Sequence, residues 1–366
     1  MKPETLRMDE RASIALRTLY RQYGYLPYQV NTFEEYDLYM RSRSMLSSEQ
    51  ILTFPGVNGA LMALKPDITL SIVKNTKDED VPVKVCYAER IYRVPKGADG
   101  FKEIMQTGVE CIGCADDYAM GEVLLLAAKS LETISPAYIL DVSDMSIVSS
   151  IVCAASSDSA VQSQLLTLIG EKNEHGLCAL CKSAGVSDEN TALLRSLISV
   201  YGPLEETLPA FEALALPAAC LPGIKSLRVL SAMLHAQGIR SVNLDFSVIN
   251  DMNYYNGLIF SGFIAGLPSS VLSGGRYDLL MRRMGRMGSA VGFAVYLDQL
   301  ERLSQEKTAF DVDVLIELNG TADPVAAANA AKAYIDQGLS VRVQRAGGAK
   351  VRAAKTVCLT GEEAQG

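Results

Sequence analysis

The sequence predicts an α+β chain, and three features predict it. Residues 1 to about 135 alternate helical and strand patterns. Residues 136 to about 240 read as helix almost throughout, after which strand patterns return up to Ala294. The tail, residues 308–366, reads as a β-α-β unit with one extra strand. Segregated runs of helix and strand, rather than strict alternation, are the mark of this class.

The first element is ERASIALRTLYRQYGY, Glu10 to Tyr25, which places Ile14, Leu16, Leu19 and Tyr20 on one helical face and stops at Gly24. VKVCYAERIYRV and EIMQTGVECIG follow as the two strands of a hairpin, joined by the polar turn PKGADG. SAVQSQLLTLIG and NTALLRSLISVYG are amphipathic helices of the central stretch. VNLDFSVI, SSVLSGGRYD and SAVGFAV are strands, the last running into a helix YLDQLERLSQE. DVDVLIEL, DPVAAANAAKAYIDQG, LSVRVQ and TVCLTG then supply the tail's strand, helix and two further strands. The domains expected are therefore residues 1–305, with a helical insertion at about 136–240, and residues 308–366.

Composition narrows the function classes. Hydrophobic residues make up 49% and charged residues 21% of the chain, which is ordinary globular usage. No apolar run has the length of a spanning helix, and the charged opening MKPETLRMDER has no signal-peptide core. The expectation is a cytoplasmic protein with no membrane partner. A net charge of −8 argues against a broad nucleic-acid surface, and the best basic tract, MRRMGRMG, is small and reads as a solvated loop.

Two Cys-x-x-Cys pairs, Cys111/Cys114 and Cys178/Cys181, raise the question of zinc. The first lies at a strand end and the second on an amphipathic helix, far apart in sequence, which favours buried structural thiols and no metal. Cys86, Cys153, Cys220 and Cys358 lie in apolar runs. No cofactor is expected.

The stretch NDMNYYNGLIF, Asn250 to Phe260, concentrates more hydrogen-bonding groups than packing requires. With YGYLPYQV, LKPDIT, QTGVECIG, SGGRYD and AVGFAVYLDQLERL, it follows the order seen in class II histidyl-tRNA synthetases, which the chain resembles over residues 1 to about 305. The resemblance implies a mixed, mainly antiparallel sheet flanked by helices, a homodimer core, and an anticodon-domain-like tail that is here shortened.

The departures from the family's pattern are specific. The Arg-Gly-Leu-Asp-Tyr-Tyr element is here Asn250-Asp251-Met252-Asn253-Tyr254-Tyr255, so an arginine that meets carboxylate and phosphate in that family is Asn250. Arg93 matches the phosphate-contacting arginine of the second class II motif, but Pro95 replaces the glutamate two residues on. After AVGFA the expected Gly-x-Glu-Arg is Tyr296-Leu297-Asp298-Gln299, and the proline of the first motif is Asn31. Adenylate formation develops charge on phosphates, and losing one preorganised donor there costs ~10²–10³ in rate. A neutral amide does not replace a bidentate cation. The chain is expected to be no enzyme.

The amino-acid half of that family's pocket is retained. Asp67 and Thr69 match the groups that hold a ligand ammonium, and Gln106 and Glu110 match the Gln-x-Gly-x-Glu segment. Tyr255 and Tyr277 match further pocket positions, and Arg93 is the remaining cation. The resemblance implies a histidine site, with Glu110 accepting from the imidazole N–H. The residues also admit plainer readings. Asp67 can also be read, second to its pocket role, as a cap for the helix ITLSIVK, and Glu110 as a paired structural acid. Gly274 and Gly275 suit a tight turn as well as a close ligand approach.

A synthetase-like chain with this selective loss resembles the regulatory subunits of ATP phosphoribosyltransferase. That resemblance implies a hetero-oligomer with a short-form catalytic subunit, commonly four of each as a hetero-octamer, and L-histidine as the inhibitory effector. The alternatives are a divergent histidyl-tRNA synthetase, or another synthetase paralogue.

Overall fold

The computed structural model describes residues 6–40, 51–77, 81–94, 100–249, 255–303 and 310–360. The chain divides into two compact units, Met1–Leu303 and Ser304–Gly366.

The first unit opens with α1 (Met8–Gln22), whose buried face is Ala12, Leu16 and Tyr20. Ile14, expected on that face, is 55% exposed, because the i, i+4, i+8 stripe beginning at Ala12 is the one that packs. Gly24, at φ +82°, receives the chain as it leaves the helix and donates to the Arg21 carbonyl. Then come β1 (Leu26–Pro27), β2 (Phe33–Glu35), α2 (Tyr36–Met40), β3 (Thr53–Pro55), β4 (Leu61–Leu64) and α3 (Thr69–Asn75). The expected hairpin forms as β5 (Val83–Arg93) and β6 (Lys102–Gly113), antiparallel along their whole length. Its turn, including Pro95, lies outside the described residues.

Helix α4 (Asp117–Ile134) is capped by Asp116, which accepts from the Ala119 N–H. It leads to β7 (Tyr138–Asp144). The central stretch then folds as α5 (Met145–Ala155), α6 (Ser159–Gly170), α7 (Glu174–Ser183), α8 (Asp188–Ser199), the short β8 (Tyr201–Pro203), α9 (Leu204–Glu212) and α10 (Leu221–Ala236). After it come β9 (Val242–Asp245), β10 (Leu258–Ile264), β11 (Leu272–Arg276), α11 (Asp278–Arg283) and β12 (Ser289–Tyr296).

The strand expected from VNLDFSVI stops at Asp245, whose carboxylate accepts from the N–H and hydroxyl of Ser247 and bends the chain away. Within YLDQLERLSQE the described residues form a 3₁₀ turn, Leu297–Arg302. Gly274 and Gly275 lie inside β11, so the tight-turn reading of this pair fails.

Nine strands form one sheet in the order β1-β5-β6-β12-β11-β10-β7-β9-β8. Only β1–β5 and β7–β9 are parallel neighbours, so the sheet is mixed and mainly antiparallel, as predicted. One face of its centre packs on α1 and α4, around Leu16, Tyr20, Leu124, Phe260 and Phe293. A second core lies under α3 and the small β2-β4-β3 sheet. Lys65 is 1% exposed there and is neutralised by Glu89 at 2.7 Å.

The second unit is a parallel three-stranded sheet, β14-β13-β15, made of β13 (Val312–Leu318), β14 (Val341–Arg345) and β15 (Ala353–Leu359). Its helix α12 (Pro324–Ile335) is capped by Asp323, which accepts from the Val325 and Ala326 N–H groups.

All eight cysteines are free thiols. Cys111 lies in β6, and Cys178 and Cys181 lie on α7. Cys153 and Cys358, read as belonging to apolar runs, are exposed. Among the described residues no three His, Cys, Asp or Glu side chains cluster as a metal site would require.

Candidate functional site

Strand register places one row of residues across the sheet. Glu110 of β6 faces Gly292 of β12, Gly292 faces Gly275 of β11, and Gly275 faces Ile259 of β10. Directly opposed residues share a face, so this row forms a floor whose middle, Gly292 and Gly275, carries no side-chain bulk. The neighbouring row, Gly108, Ala294, Ser273 and Ser261, is equally small.

The missing Cβ atoms make room for particular groups. A Cβ on Gly292 would overlap the Glu110 carboxyl, one on Gly275 would come within 2.7 Å of the Tyr255 ring, and one on Gly108 would lie 2.7 Å from the Tyr87 hydroxyl. Glu110, Tyr255 and Tyr87 therefore lie flat over glycines. Tyr87 reaches across to donate to the Phe293 carbonyl at 3.4 Å.

Glu110 is the hub of the site. It is 2% exposed, and each of its oxygens is engaged. The Thr69 hydroxyl, at the first turn of α3, donates to Oε1 at 2.7 Å, and the Tyr277 hydroxyl, just before α11, donates to Oε2 at 2.5 Å. Burial pushes the Glu110 pKa up to about 8, against the pull of the two hydroxyls, and nearby Asp67 adds to the rise. Asp67 Oδ1 accepts from the Leu70 N–H at 2.9 Å, so the helix-cap reading of this residue is realised in the geometry. Its pKa is also raised by burial, opposed by the Leu70 N–H, the charge of Arg93 and the Thr69 N–H. Burial holds Tyr255 well above the usual phenol range, and the neighbouring Tyr296, Glu110 and Asp67 reinforce it.

The seven residues singled out by the sequence stand as follows. Thr69, Glu110 and Tyr277 are joined by hydrogen bonds, with Asp67 two residues from Thr69. Tyr255 shares the floor through Gly275. Gln106, 6% exposed, lies on the same face of β6 four residues from Glu110. Arg93 closes β5 opposite Lys102 and acts on Asp67 through its charge. Asn250, which the sequence reading sets against a family arginine, lies outside the described residues.

Three site residues escaped the sequence reading: Tyr87, Ser273 and Tyr296. Tyr296 faces Gln106 on the floor side, and its hydroxyl shares a 2.6 Å hydrogen bond with Ser273 Oγ. Period-two counting from Glu110 and Gly292 would have found them, once the strand pairing was known.

Gln299, which the sequence reading sets against the second phosphate-contacting arginine, is engaged by its neighbours. It accepts from Ser269 Oγ at 2.8 Å and donates to the Ser270 carbonyl at 3.3 Å, bracing the turn between β10 and β11. A separate groove of about 390 Å³ runs between α9 and α10, edged by the Glu205–His235 and Glu212–Arg228 pairs.

Comparisons with known proteins agree with this architecture. The family model described as histidyl-tRNA synthetase matches residues 1–300. A protein of Alkaliphilus metalliredigens named ATP phosphoribosyltransferase regulatory subunit is 28% identical over 78% of this chain and 74% of its own. A solved structure from Bacillus halodurans, described as an ATP phosphoribosyltransferase regulatory subunit/histidyl-tRNA synthetase, superposes with a TM-score of 0.81 at 22% identity. It covers 97% of this chain and 94% of that one. A chain of the ATP phosphoribosyl transferase (HisG:HisZ) complex from Thermotoga maritima shares the fold at a TM-score of 0.63 and 19% identity, over 79% of this chain and 97% of that one.

Proposed function

The chain belongs to the histidyl-tRNA synthetase family, and from that premise we propose that it is a non-catalytic regulatory subunit of ATP phosphoribosyltransferase. In this reading it activates a short-form catalytic subunit and transmits feedback inhibition by histidine. The hetero-octamer that the family resemblance implies is the assembly proposed.

One observation carries the reading. The carboxyl hub Glu110, with Thr69 and Tyr277, is assembled and buried, while the position that should supply a phosphate-binding cation is Gln299, tied to Ser269 and Ser270. A site that lost its purpose altogether would have no reason to keep a buried carboxyl, which costs free energy unless it is hydrogen-bonded. A functioning synthetase, by contrast, needs cations where charge develops on phosphate. The curated relative from Alkaliphilus metalliredigens, named as such a subunit, supports the same assignment.

Histidine would bind with its imidazole N–H toward Glu110 and its ammonium toward Asp67 and Thr69. Arg93 is the cation at hand for the ligand carboxylate, since Asn250 offers none. Such feedback needs a coupling free energy of only ~1–3 kcal/mol between the two sites.

The experiment is reconstitution. Mixed with a short-form catalytic chain at micromolar concentration, the protein should co-elute on gel filtration and raise phosphoribosyl transfer, and histidine should reverse the gain. Alone it should catalyse neither that reaction nor histidine-dependent exchange of pyrophosphate into ATP. Robust exchange by the pure protein would refute the reading.

A further inference from the structure

We propose that Tyr296 is a built-in occupant of the floor beside Glu110, and that it restricts the cleft to one small ligand by excluding larger planar ring systems of purine size. The inference rests on the pocket reading above, but it concerns a different part of the floor.

The floor has two ends. Over Gly292 and Gly275 lie the Glu110 carboxyl and the Tyr255 ring. Over Gly108 lies Tyr87, which is buried. What remains is the stretch around Ala294 and Ser273, a methyl and a hydroxymethyl facing one another across β12 and β11. Both residues are only partly buried, so this part of the face is not sealed by the core. A flat patch of small residues, with polar atoms at its rim, suits an aromatic ring lying face-down.

The protein supplies that ring itself. Tyr296 sits opposite Val271, as shown by its N–H donating to the Val271 carbonyl at 2.8 Å. Ser273 is two residues further along β11, paired with Ala294. To bring its hydroxyl to 2.6 Å from Ser273 Oγ, the Tyr296 side chain leans back along β12, over Ala294. Like Tyr255, Tyr296 packs against the second core. Glycine, expected here from the resemblance, would leave the patch bare. Gln299, three residues on, is committed to Ser269 and Ser270, so this end offers no cation from that position either.

Titration calorimetry with adenosine and AMP on the full-length protein tests this. The wild type should bind neither at millimolar concentration. Tyr296→Ala should bind adenosine at least tenfold more tightly than the wild type, and AMP no more tightly than adenosine. Tyr296→Phe loses the same hydrogen bond as Ser273→Ala and should gain adenosine affinity by a comparable step, smaller than that of Tyr296→Ala. Ser273→Ala frees the ring with little change of volume and should move affinity in the same direction as Tyr296→Ala, which covers the case in which that variant does not fold. Wild-type binding equal to Tyr296→Ala, or no gain in any variant, overturns the proposal. Histidine titrations on the same samples keep the two readings apart. Failure of histidine to bind would sink the effector site while leaving the adenosine result to decide the role of Tyr296.

Discussion

Tyr277 donates a 2.5 Å hydrogen bond to Glu110, joining the residue before α11 to the middle of β6 across 167 positions of sequence. The bond holds a carboxyl whose pKa burial has moved to about 8, so the folded chain keeps a proton there that the unfolded chain gives up near 4.5. Below pH 4.5 both states hold it, and the contribution to stability is complete. Between 4.5 and about 8 only the folded state holds it, so stability falls as pH rises, by about 1.4 kcal/mol per unit at most. Above 8 the loss is finished. Urea melts at pH 5 and pH 9 should differ by on the order of a few kcal/mol more in the wild type than in Glu110→Gln. Equal pH dependence of the two proteins would contradict the assignment.

At pH 9, where Glu110 is ionised in the folded chain, Glu110→Gln should also weaken histidine binding to the reconstituted complex by ten- to hundredfold, the loss of one charge-assisted hydrogen bond of ~1.5–3 kcal/mol. Inhibition curves read it directly. If they are unchanged, the effector sits elsewhere.

Asp67 has two roles to separate. Asp67→Asn keeps an acceptor for the Leu70 N–H and should leave the melting temperature nearly unaltered, yet lose histidine affinity with the charge. Asp67→Ala should lose both, with a stability cost of ~1 kcal/mol. A histidine affinity in Asp67→Asn equal to wild type would reduce Asp67 to a helix cap.

Restoring one arginine should not restore catalysis. Gln299→Arg removes the ties to Ser269 and Ser270, at a cost of ~0.5–1.5 kcal/mol for each. Pyrophosphate exchange should stay at background while the thermal midpoint falls. Recovery of exchange in this single variant would show that the site is one residue from activity.

Glu89→Ala should be the most destabilising of these changes, ~3–5 kcal/mol, because Lys65 is left charged and buried at 1% exposure. Arg195→Ala, which breaks an exposed pair with Glu174, should cost under ~1 kcal/mol. Paired denaturant titrations compare them.

Local pattern was enough for α1 and for the β5–β6 hairpin, because a helical stripe and a two-fold alternation are written within one segment. It was not enough for the floor. Gly274–Gly275 left a tight turn and a close approach equally open, because glycine permits both and only cross-strand pairing tells which. The group above Gly275 is Tyr255, and the strand opposite Glu110 begins at Ser289. The association of Asp67, Thr69, Glu110, Tyr255 and Tyr277 came from the family's motifs, since no periodicity connects α3, β6 and α11. Tyr87 and Tyr296 were missed because each is unremarkable in its own strand.

The parallel pairing of β7 with β9 has a kinetic consequence. Parallel neighbours need a crossover, and residues 145–241, with all of α5 to α10, lie within this one. The β5–β6 hairpin closes over a short turn, whereas β9 meets its partner only after that long loop has closed. Glu110 is therefore expected to be in register on its strand before Tyr255, carried in after β9, arrives above Gly275. During refolding, pulse-labelled amides of β5 and β6 should gain protection ahead of those of β9 and β10. The unfinished pocket would then be a folding species with its carboxyl in place and its aromatic cover still to come.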